Sequence, residues 1–357
     1  MRVVVAMSGG VDSSVAAALL KEQGYEVIGI TMHLYDEPAT TAPNPSCCGS
    51  EAVKIARRVA LILNIPFYTL DLRKQFRQQV IEHFITEYAQ GRTPNPCVRC
   101  NQLIKFGALR EKARQLDAQF IATGHHARQK KDPQGVWHLY KGVDPNKDQS
   151  YFLYTLTQQQ MAELLLPIGE YTKEEVRKLA ADLGLPNARR PESQEICFVP
   201  DNDYAAFLKQ MRPEIFQPGP IYDTKGNLLG EHRGIAHFTI GQRKGLKIAL
   251  GERRYVARID PRRNAVIIGF EQDVYHRVVN ASDASWISGK PPEATTRVWA
   301  KVRYQGTGSW ADLKIQSKNR VRVVFDQPQW APTPGQAVVF WQGDEVLGGA
   351  TIESSER

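Results

Sequence analysis

A short glycine- and serine-rich segment near the start of the chain has the residue types needed to bind an anion. Ser8-Gly9-Gly10-Val11-Asp12-Ser13-Ser14 follows the apolar run Val3-Val4-Val5 and precedes a helical pattern over 15–20. Glycines let backbone amides approach an anion closely, and a helix N-terminus adds unpaired N–H groups and a positive dipole end. The serines supply hydroxyls, and Asp12 is a candidate Mg²⁺ ligand or helix cap. The spacing therefore predicts a pyrophosphate cradle rather than a plain strand–turn–helix connection.

This segment lacks the lysine of the other common phosphate-binding loop. The Walker motif ends in Gly-Lys-Ser/Thr, and its lysine reaches the β- and γ-phosphates of a nucleotide. Residues 8–14 contain no lysine. The form Ser-Gly-Gly-Val-Asp-Ser resembles instead the PP-loop of ATP pyrophosphatases, a resemblance that implies cleavage of ATP between the α- and β-phosphates and transfer of AMP.

A Cys-x-x-Cys pair is the second group of residues with chemistry of its own. Cys97 and Cys100 follow Thr93-Pro94-Asn95-Pro96, in which two prolines favour an extended backbone. We expect Cys100 to enter the N-terminus of a helix over 102–116, a position that favours the reactive thiolate. The basic residues expected to act in the same direction are Arg92, Arg99 and Lys105.

Metal binding is the alternative use of these thiols. Cys-x-x-Cys is also half of a zinc site, but the other half would have to come from Cys47-Cys48 or distant groups, and adjacent cysteines are poorly spaced for tetrahedral ligation. We interpret Cys47 and Cys48 as loop or buried thiols. With Cys197 the chain has five cysteines, an odd number that favours reactive or metal-binding thiols over a disulfide framework.

The elements that must position these residues alternate between strands and helices in the first half of the chain. Alternation predicts an α/β domain with a parallel sheet covered on both faces, whose ligands bind beyond the carboxyl ends of the strands. Ser8-Gly9-Gly10, Met32 and Thr123-Gly124-His125 all fall at that edge. The predicted strands are 2–7, 26–32, 67–71 and 119–123, and the predicted helices are 13–23, 51–64, 74–90, 102–116 and 173–183.

The second half of the chain is different in character. Glycine and proline punctuate short β-like runs, which predicts small barrels or sandwiches. The runs are 234–240, 254–259, 265–269, 297–304, 321–325 and 337–341. We expect a PP-loop domain over 1–210, a central β-rich domain over 211–275 and a C-terminal β-barrel domain over 276–357. One face of the run 297–304 carries Arg297, Trp299, Lys301 and Arg303, which suits a phosphate backbone or an unstacked base and equally suits a solvated strand face.

Charge and composition narrow the class of protein. The net charge of +8 and the isoelectric point near 9.2 favour a polyanionic partner. No apolar run approaches the length needed to cross a bilayer, so no membrane partner is expected. Met1 leads straight into a predicted strand, with no room for a signal peptide. These features predict a cytoplasmic protein, or one of an organelle matrix.

Together the motifs resemble those of the bacterial-type tRNA-specific 2-thiouridylases, from Met1 to Pro334-Gly335-Gln336. The segments that carry this resemblance are Met7-Ser8-Gly9-Gly10-Val11-Asp12-Ser13, Gly91-Arg92-Thr93-Pro94-Asn95-Pro96, Cys100-Asn101, Ala122-Thr123-Gly124-His125, Asn146-Lys147-Asp148-Gln149-Ser150-Tyr151-Phe152-Leu153, Ile196-Cys197-Phe198 and Thr239-Ile240-Gly241-Gln242-Arg243.

The resemblance implies sulfur insertion at C2 of the wobble uridine in tRNAs for lysine, glutamate and glutamine, with ATP and Mg²⁺. It implies that Cys197 receives persulfide sulfur from a sulfur-relay protein or a cysteine desulfurase, and that Cys100 is its nucleophilic partner. The ATP-binding residues it implies are Ala6, Met7, Ser8, Gly9, Gly10, Val11, Asp12, Ser13, Met32 and Gly124. The tRNA-binding residues it implies are Asn95, Pro96 and Cys97 at the target base, and His125, Lys147, Asp148, Gln149, Arg303, Tyr304 and Gln336.

One position departs from the family pattern. Some members carry aspartate where this chain has Cys97. That aspartate is expected to act as an acid or base near the target base, a role that a thiol cannot be assumed to fill. Cys97, Cys100 and Cys197 could instead bind an iron–sulfur cluster through three thiolates, leaving one iron open to sulfide. Persulfide transfer, which ends in a Cys100–Cys197 disulfide, is the interpretation we favour.

Two other functions compete with thiolation. Another AMP-transferring PP-loop enzyme, such as a tRNA-lysidine synthetase or an amidotransferase-type synthetase, would not need paired thiols at Cys100 and Cys197. A non-catalytic RNA-binding protein would not need an intact nucleotide loop. The sequence therefore favours thiolation over both.

Overall fold

A parallel sheet forms the centre of the N-terminal part of the chain. The computed structural model describes residues 1–36, 50–191, 196–246, 248 and 251–357. Val3, Val4 and Val5 are fully buried in its central strand, β1, as expected where helices cover both faces of a sheet. The predicted α/β fold is confirmed. The strands of this part are β1 (Arg2–Ala6), β2 (Glu26–His33), β3 (Phe67–Asp71), β4 (Phe120–Ala122), β5 (Ala127–Lys131), β6 (Trp137–Lys141) and β7 (Leu164–Leu165).

The strand order creates a crevice next to β1. Across the sheet the order is β3-β2-β1-β4-β7, and the strands run parallel. Strands β2 and β3 lie on one side of β1, and β4 and β7 lie on the other. Such a reversal leaves a ligand-binding crevice at the carboxyl ends of the two strands that flank it. The segments 7–10 and 123–125 leave β1 and β4 at this crevice.

The helices largely follow the prediction, with two of them divided. The predicted helix 102–116 consists of a π-helical stretch (Asn101–Ala108) followed by an α-helical one. The predicted helix 74–90 consists of α3 (Arg73–Phe76), a π-helical stretch (Arg77–Ile81) and α4 (Glu82–Ala89). The remaining α-helices are α1 (Val11–Glu22), α2 (Ser50–Ile62), α5 (Pro96–Cys100), α6 (Leu109–Arg114), α7 (Gln158–Ala162), α8 (Lys173–Asp182) and α9 (Tyr204–Met211). No helix among the described residues is long and apolar enough to cross a membrane.

The rest of the chain is β-rich, as predicted. One sheet has the order β10-β11-β8-β9, and the other is closed because β12 pairs with both β15 and β17. The β5–β6 hairpin of the N-terminal part extends this closed sheet by pairing with β17. The strands are β8 (Gly219–Asp223), β9 (Leu228–His232), β10 (Tyr255–Asp260), β11 (Ala265–Gly269), β12 (Tyr275–Trp286), β13 (Thr295–Lys301), β14 (Ser309–Ser317), β15 (Arg320–Trp330), β16 (Ala337–Gln342) and β17 (Glu345–Glu356).

One predicted strand is wrong, and another is wrong in part. The segment 234–240 forms a 3₁₀ turn at Ile235–His237, because Gly234 has a φ of +130°, a backbone conformation that only glycine adopts readily and that does not continue a strand. The run 297–304 is a strand only as far as Lys301. Beyond it, Arg303 accepts a hydrogen bond from the Gly306 N–H in a turn.

Candidate active site

Hydrogen bonds between the side chains and the backbone of the loop after β1 fix its shape. The Ser13 and Ser14 hydroxyls both donate to the Gly10 carbonyl oxygen at 3.0 Å, and the Ser8 N–H donates to Ser13 Oγ at 3.1 Å. Gly10 is the N-cap of α1 and makes no side-chain cap. The expectation that Asp12 caps the helix is therefore wrong, because it lies within the first turn. The loop follows buried β1 directly and leads into the N-terminus of α1, the end of a helix at which anions bind.

Two glycines are required by close packing around this loop. Gly9 has a φ of +71°, and a Cβ there would lie 2.5 Å from the Ala52 carbonyl oxygen. Gly124, which follows β4, packs so closely on α1 that a Cβ would lie 2.5 Å from the Ser13 nitrogen. Both segments of the crevice therefore meet at the N-terminus of α1. Met32, on the neighbouring strand β2, is buried.

Asn187 supports the loop from the far side, and sequence reasoning missed it. Its amide donates to the Gly9 carbonyl oxygen and to Ser14 Oγ, both at 2.9 Å. The side chain is 1% exposed. No spacing or periodicity in the sequence marks this residue, since it lies in an irregular segment more than 170 positions from its partners.

Asp12 forms a partly buried ion pair with a lysine from α8. Lys173 Nζ lies 2.7 and 2.8 Å from the two carboxylate oxygens of Asp12, and His126 Nε2 lies 3.3 Å from one of them. Burial by itself raises the pKa of Asp12, but the hydrogen bond to His126 and the Lys173 ammonium lower it below the ordinary aspartate value. Asp12 is therefore ionised at neutral pH. Neither Lys173 nor His126 was among the residues predicted from the sequence.

The segment 144–149 holds both partners of Asp12. Asp144 accepts a hydrogen bond from the Lys173 N–H at 3.0 Å. Gln149 Oε1 accepts from the His126 N–H at 3.0 Å, and the Gln149 N–H donates to the His126 carbonyl oxygen at 2.9 Å. Of the three candidate tRNA-binding residues here, Gln149 therefore positions His126, which contacts Asp12. Asp148 accepts hydrogen bonds from the Gly142 N–H and from the N–H and hydroxyl of Ser150. Lys147 lies beside them at intermediate exposure.

The Cys-x-x-Cys segment begins its helix earlier than predicted. Asn95 is the N-cap of α5 and accepts a hydrogen bond from the Val98 N–H at 3.3 Å. Pro96 occupies the first helical position, where its fixed φ suits a helix and its missing N–H costs nothing. Cys97 therefore lies in the first turn and is exposed, whereas Cys100 ends α5, and the helix continues as a π-helical stretch. The expectation that Cys100 marks a helix N-terminus is wrong.

The C-terminal barrel clamps the residues that precede α5. Gln336 Nε2 donates to the Thr93 and Pro94 carbonyl oxygens at 2.9 and 3.2 Å. Arg92 forms ion pairs with Glu87 at 2.8 Å and with Glu353 of β17 at 3.0 Å. The Arg92 charge is thus balanced by two carboxylates. Contrary to expectation, it is not directed at favouring the thiolate form of Cys97 or Cys100. Gln336 positions the backbone that leads to Cys97.

Cys197 lies at the carboxyl edge of the parallel sheet. The Tyr35 hydroxyl, just beyond β2, donates to the Cys197 carbonyl oxygen. Cys197 lines a cavity of about 790 Å³ together with residues of the α3 region, and it packs against the same apolar cluster as Cys100. Cys97, Cys100 and Cys197 are thiols. Across the described ranges, no group of three or more His, Cys, Asp or Glu residues is arranged to hold a metal ion.

Three further candidate tRNA contacts are engaged within the protein. Burial holds the pKa of His125 well below its ordinary value, so the imidazole is neutral, and its Nδ1 lies 2.7 Å from the Thr123 hydroxyl. The Arg303 guanidinium donates to the Ile240 and Ala331 carbonyl oxygens and to the Thr333 hydroxyl at 2.7 to 3.0 Å. The Tyr304 ring packs 4.4 Å from the Phe152 ring.

The chain matches three family models in succession. Residues 1–201 match the tRNA methyl transferase HUP domain, residues 205–270 match the tRNA methyl transferase PRC-barrel domain, and residues 276–352 match the aminomethyltransferase beta-barrel domain. The first of these models alone covers more than half of the chain.

Curated relatives match over nearly the whole length. The tRNA-specific 2-thiouridylase MnmA of Moorella thermoacetica is 53% identical over 98% of this chain and 99% of its own length. The proteins of the same name from Halothermothrix orenii and Carboxydothermus hydrogenoformans are 50% and 51% identical, each over 99% of this chain and over 99% and 97% of their own lengths.

Proposed function

The chain belongs to the family of the tRNA-specific 2-thiouridylases, and from that premise we propose that it replaces oxygen by sulfur at C2 of the wobble uridine in tRNAs for lysine, glutamate and glutamine. It is a tRNA-uridine 2-sulfurtransferase that consumes ATP. The observation that carries the proposal is the anion-binding loop at the switch point of the parallel sheet, combined with two thiols, Cys100 and Cys197, packed against one apolar cluster at that domain.

The first step activates the uridine. Its O2 attacks the α-phosphorus of ATP, the bond from that phosphorus to the bridging α–β oxygen breaks, and pyrophosphate leaves with the electron pair. The carbonyl oxygen, itself a poor leaving group, is now part of an AMP ester. The N–H groups and serine hydroxyls of the loop, which bond to one another in this structure, would exchange these partners for the departing phosphates and stabilise their charge.

Mg²⁺ is expected to assist at this step, and the residues present fit it. Magnesium sites with nucleotides commonly use one or two carboxylates together with phosphate oxygens. Asp12 supplies an ionised carboxylate at the loop, one-quarter exposed. Bound there, the ion would supply positive charge to the phosphates.

The second step delivers sulfur from a persulfide on Cys197. The outer sulfur attacks C2, and AMP leaves with the uridine oxygen. The Cys100 thiolate then attacks Cys197 Sγ, the S–S bond to the transferred sulfur breaks, and that sulfur keeps the electron pair as C2=S. Attack of Cys100 on the persulfide first, with release of hydrosulfide, balances equally. Both routes leave a Cys100–Cys197 disulfide, which a thiol reductant must reduce before the next turnover.

The test of this function is mass spectrometry of tRNA nucleosides. Protein incubated with unmodified tRNA, Mg-ATP and a persulfide donor should convert the wobble uridine to 2-thiouridine, with AMP and pyrophosphate as co-products. A methylated nucleoside formed from a methyl donor, the reaction that the name of the tRNA methyl transferase HUP domain suggests, would overturn the assignment. So would lysidine, or the absence of any modified nucleoside together with ATP-independent tRNA binding.

We also propose a division of labour between the parts of the chain. In it residues 1–210 carry the chemistry, the central region 211–275 holds the tRNA, and the C-terminal barrel 276–357 supports the segment that leads to Cys97. The central region has eleven Lys and Arg residues against seven Asp and Glu. Several of its arginines are exposed around the β10–β11 hairpin: Arg253, Arg258, Arg262 and Arg263.

Substitution of two of these arginines should weaken tRNA binding. Arg258→Ala with Arg262→Ala should lower tRNA affinity and reduce the slope of log affinity against log salt by about one unit per lost phosphate contact. ATP binding should not change. We prefer this pair to Arg303→Ala, because Arg303 holds three oxygens of the protein and its loss would disturb the fold.

The matched control is Lys318→Ala, an exposed basic residue in the β14–β15 turn of the C-terminal barrel. Filter binding or anisotropy over a salt series measures both variants. An equal loss of affinity in the control, or an unchanged salt slope in the arginine pair, would contradict binding at the β10–β11 hairpin.

A further inference from the structure

The lysine that the phosphate loop lacks in sequence is present beside it in the structure. Lys173 is 7% exposed, and its ammonium lies 2.7 and 2.8 Å from the two oxygens of Asp12, in the first turn of α1. Walker loops carry their phosphate-binding lysine within the motif. Here the lysine comes from a separate helix 161 positions along the chain.

The structure holds the backbone of Lys173 firmly at this position. Lys173 is the first residue of α8, which begins with a capping box: the Thr172 hydroxyl accepts from the Glu175 N–H, and the Glu175 carboxylate accepts from the Thr172 N–H. Asp144 accepts from the Lys173 N–H at 3.0 Å. The backbone is fixed at three points, and the four-carbon side chain remains the adaptable part.

The ion pair with Asp12 places the Lys173 charge beside the phosphate loop. Asp12 packs closely on Gly124, where an added Cβ would lie 2.9 Å from the Asp12 Cβ. A buried ion pair of this kind adds little net stability compared with apolar packing. An ammonium at that position contributes more to the binding of a ligand with several negative charges than to the stability of the fold.

We propose that Lys173 binds the β- and γ-phosphates of ATP and stabilises the pyrophosphate leaving group. In the absence of nucleotide Asp12 balances its charge. When ATP enters, the phosphate oxygens become the partners of Lys173, and the Asp12 carboxylate becomes available to the cation that accompanies ATP. The ammonium remains protonated throughout. It neutralises charge as the α–β bridging oxygen takes the electron pair, so no proton transfer is required.

This inference rests on the proposed ATP cleavage, and binding measurements test it separately from thiolation. Lys173→Met should weaken binding of ATP and of pyrophosphate by about ten- to a hundredfold, the size of a lost charge-assisted hydrogen bond. Binding of AMP should stay within about twofold, because AMP lacks the β- and γ-phosphates. Calorimetric titration of each ligand with Mg²⁺ present gives the three constants.

Two further variants distinguish a phosphate contact from a structural one. Lys173→Arg keeps the charge and should recover most of the ATP affinity, while Lys178→Ala removes an exposed lysine of the same helix and should change nothing. Equal weakening of ATP and AMP by Lys173→Met, or a preserved affinity for pyrophosphate, would overturn the proposal. If Lys173→Met does not fold, Lys173→Gln, which removes the charge but keeps a polar side chain, decides: a selective loss of ATP affinity over AMP affinity supports the contact, and an unchanged ATP-to-AMP affinity ratio rejects it. The two proposals can also fail separately. If Lys173 discriminates ATP from AMP but the wild-type protein forms no 2-thiouridine, the proposed function is rejected and the Lys173–phosphate contact stands.

Discussion

Replacing Cys197 with serine should abolish formation of 2-thiouridine and leave the release of pyrophosphate intact. The substitution removes the sulfur atom that carries the persulfide, and serine cannot form one. The phosphate loop is held by hydrogen bonds from Asn187, Ser13 and Ser14, and the substitution leaves these three residues unchanged. We expect thiolation to fall by at least about a hundredfold, because a hydroxyl is a far weaker nucleophile at neutral pH. Nucleoside mass spectrometry and a pyrophosphate assay on the same reactions measure both quantities.

Two other cysteine variants serve as controls for this result. Cys100→Ser should also lose thiolation, since it cannot complete the disulfide with Cys197. Cys97→Ala should retain activity in protein purified in air, because Cys97 is an exposed residue in the first turn of α5. Loss of activity and of bound iron in Cys97→Ala would contradict the persulfide route and restore the iron–sulfur alternative.

The sequence predicted the parts of the site that local chemistry determines. The loop Ser8-Gly9-Gly10 and the segment at Gly124 carry glycines for a reason that acts over a few residues, and the alternation of strands and helices brings their strand ends to one edge. The start of α8 was also readable, since Thr172 and Glu175 have the spacing of a capping box.

Contacts between distant segments could not be read from the sequence. Asn187 and Lys173 reach the loop only because α8 and the following segment pack beside α1, and no periodicity signals which side chain will be nearest. The pairing of the β5–β6 hairpin with β17 is a similar case. Arg303 lies in a basic alternating run, yet the chain turns after Lys301 and the guanidinium binds carbonyl oxygens. Tertiary packing overrides local pattern at these positions.

The largest loss of ATP chemistry should follow from Asp12→Asn. The amide keeps the size of the side chain but removes the charge that balances Lys173 and that would bind the cation. We expect tRNA-dependent release of AMP and pyrophosphate to fall by about a hundredfold or more, the scale on which loss of a charge-stabilising group slows a reaction. Thin-layer or ion-exchange separation of labelled nucleotides measures the products.

This variant also tests which bond of ATP is broken and how the loop is stabilised. The wild-type products should be AMP and pyrophosphate, and ADP as the main product would exclude AMP transfer. Asp12→Asn leaves the buried Lys173 ammonium without its carboxylate, which typically costs about 3–5 kcal/mol. The free energy of unfolding in urea should therefore fall, whereas Asp182→Asn, an exposed carboxylate at the end of α8, should change neither stability nor products.

A double variant separates the two roles of the ion pair. Adding Lys173→Met to Asp12→Asn should restore stability, because the pair would again be electrically neutral. It should not restore pyrophosphate release, because both charges that act on the phosphates would be missing. Recovery of stability and pyrophosphate release together would mean that the ion pair serves the fold and not the reaction.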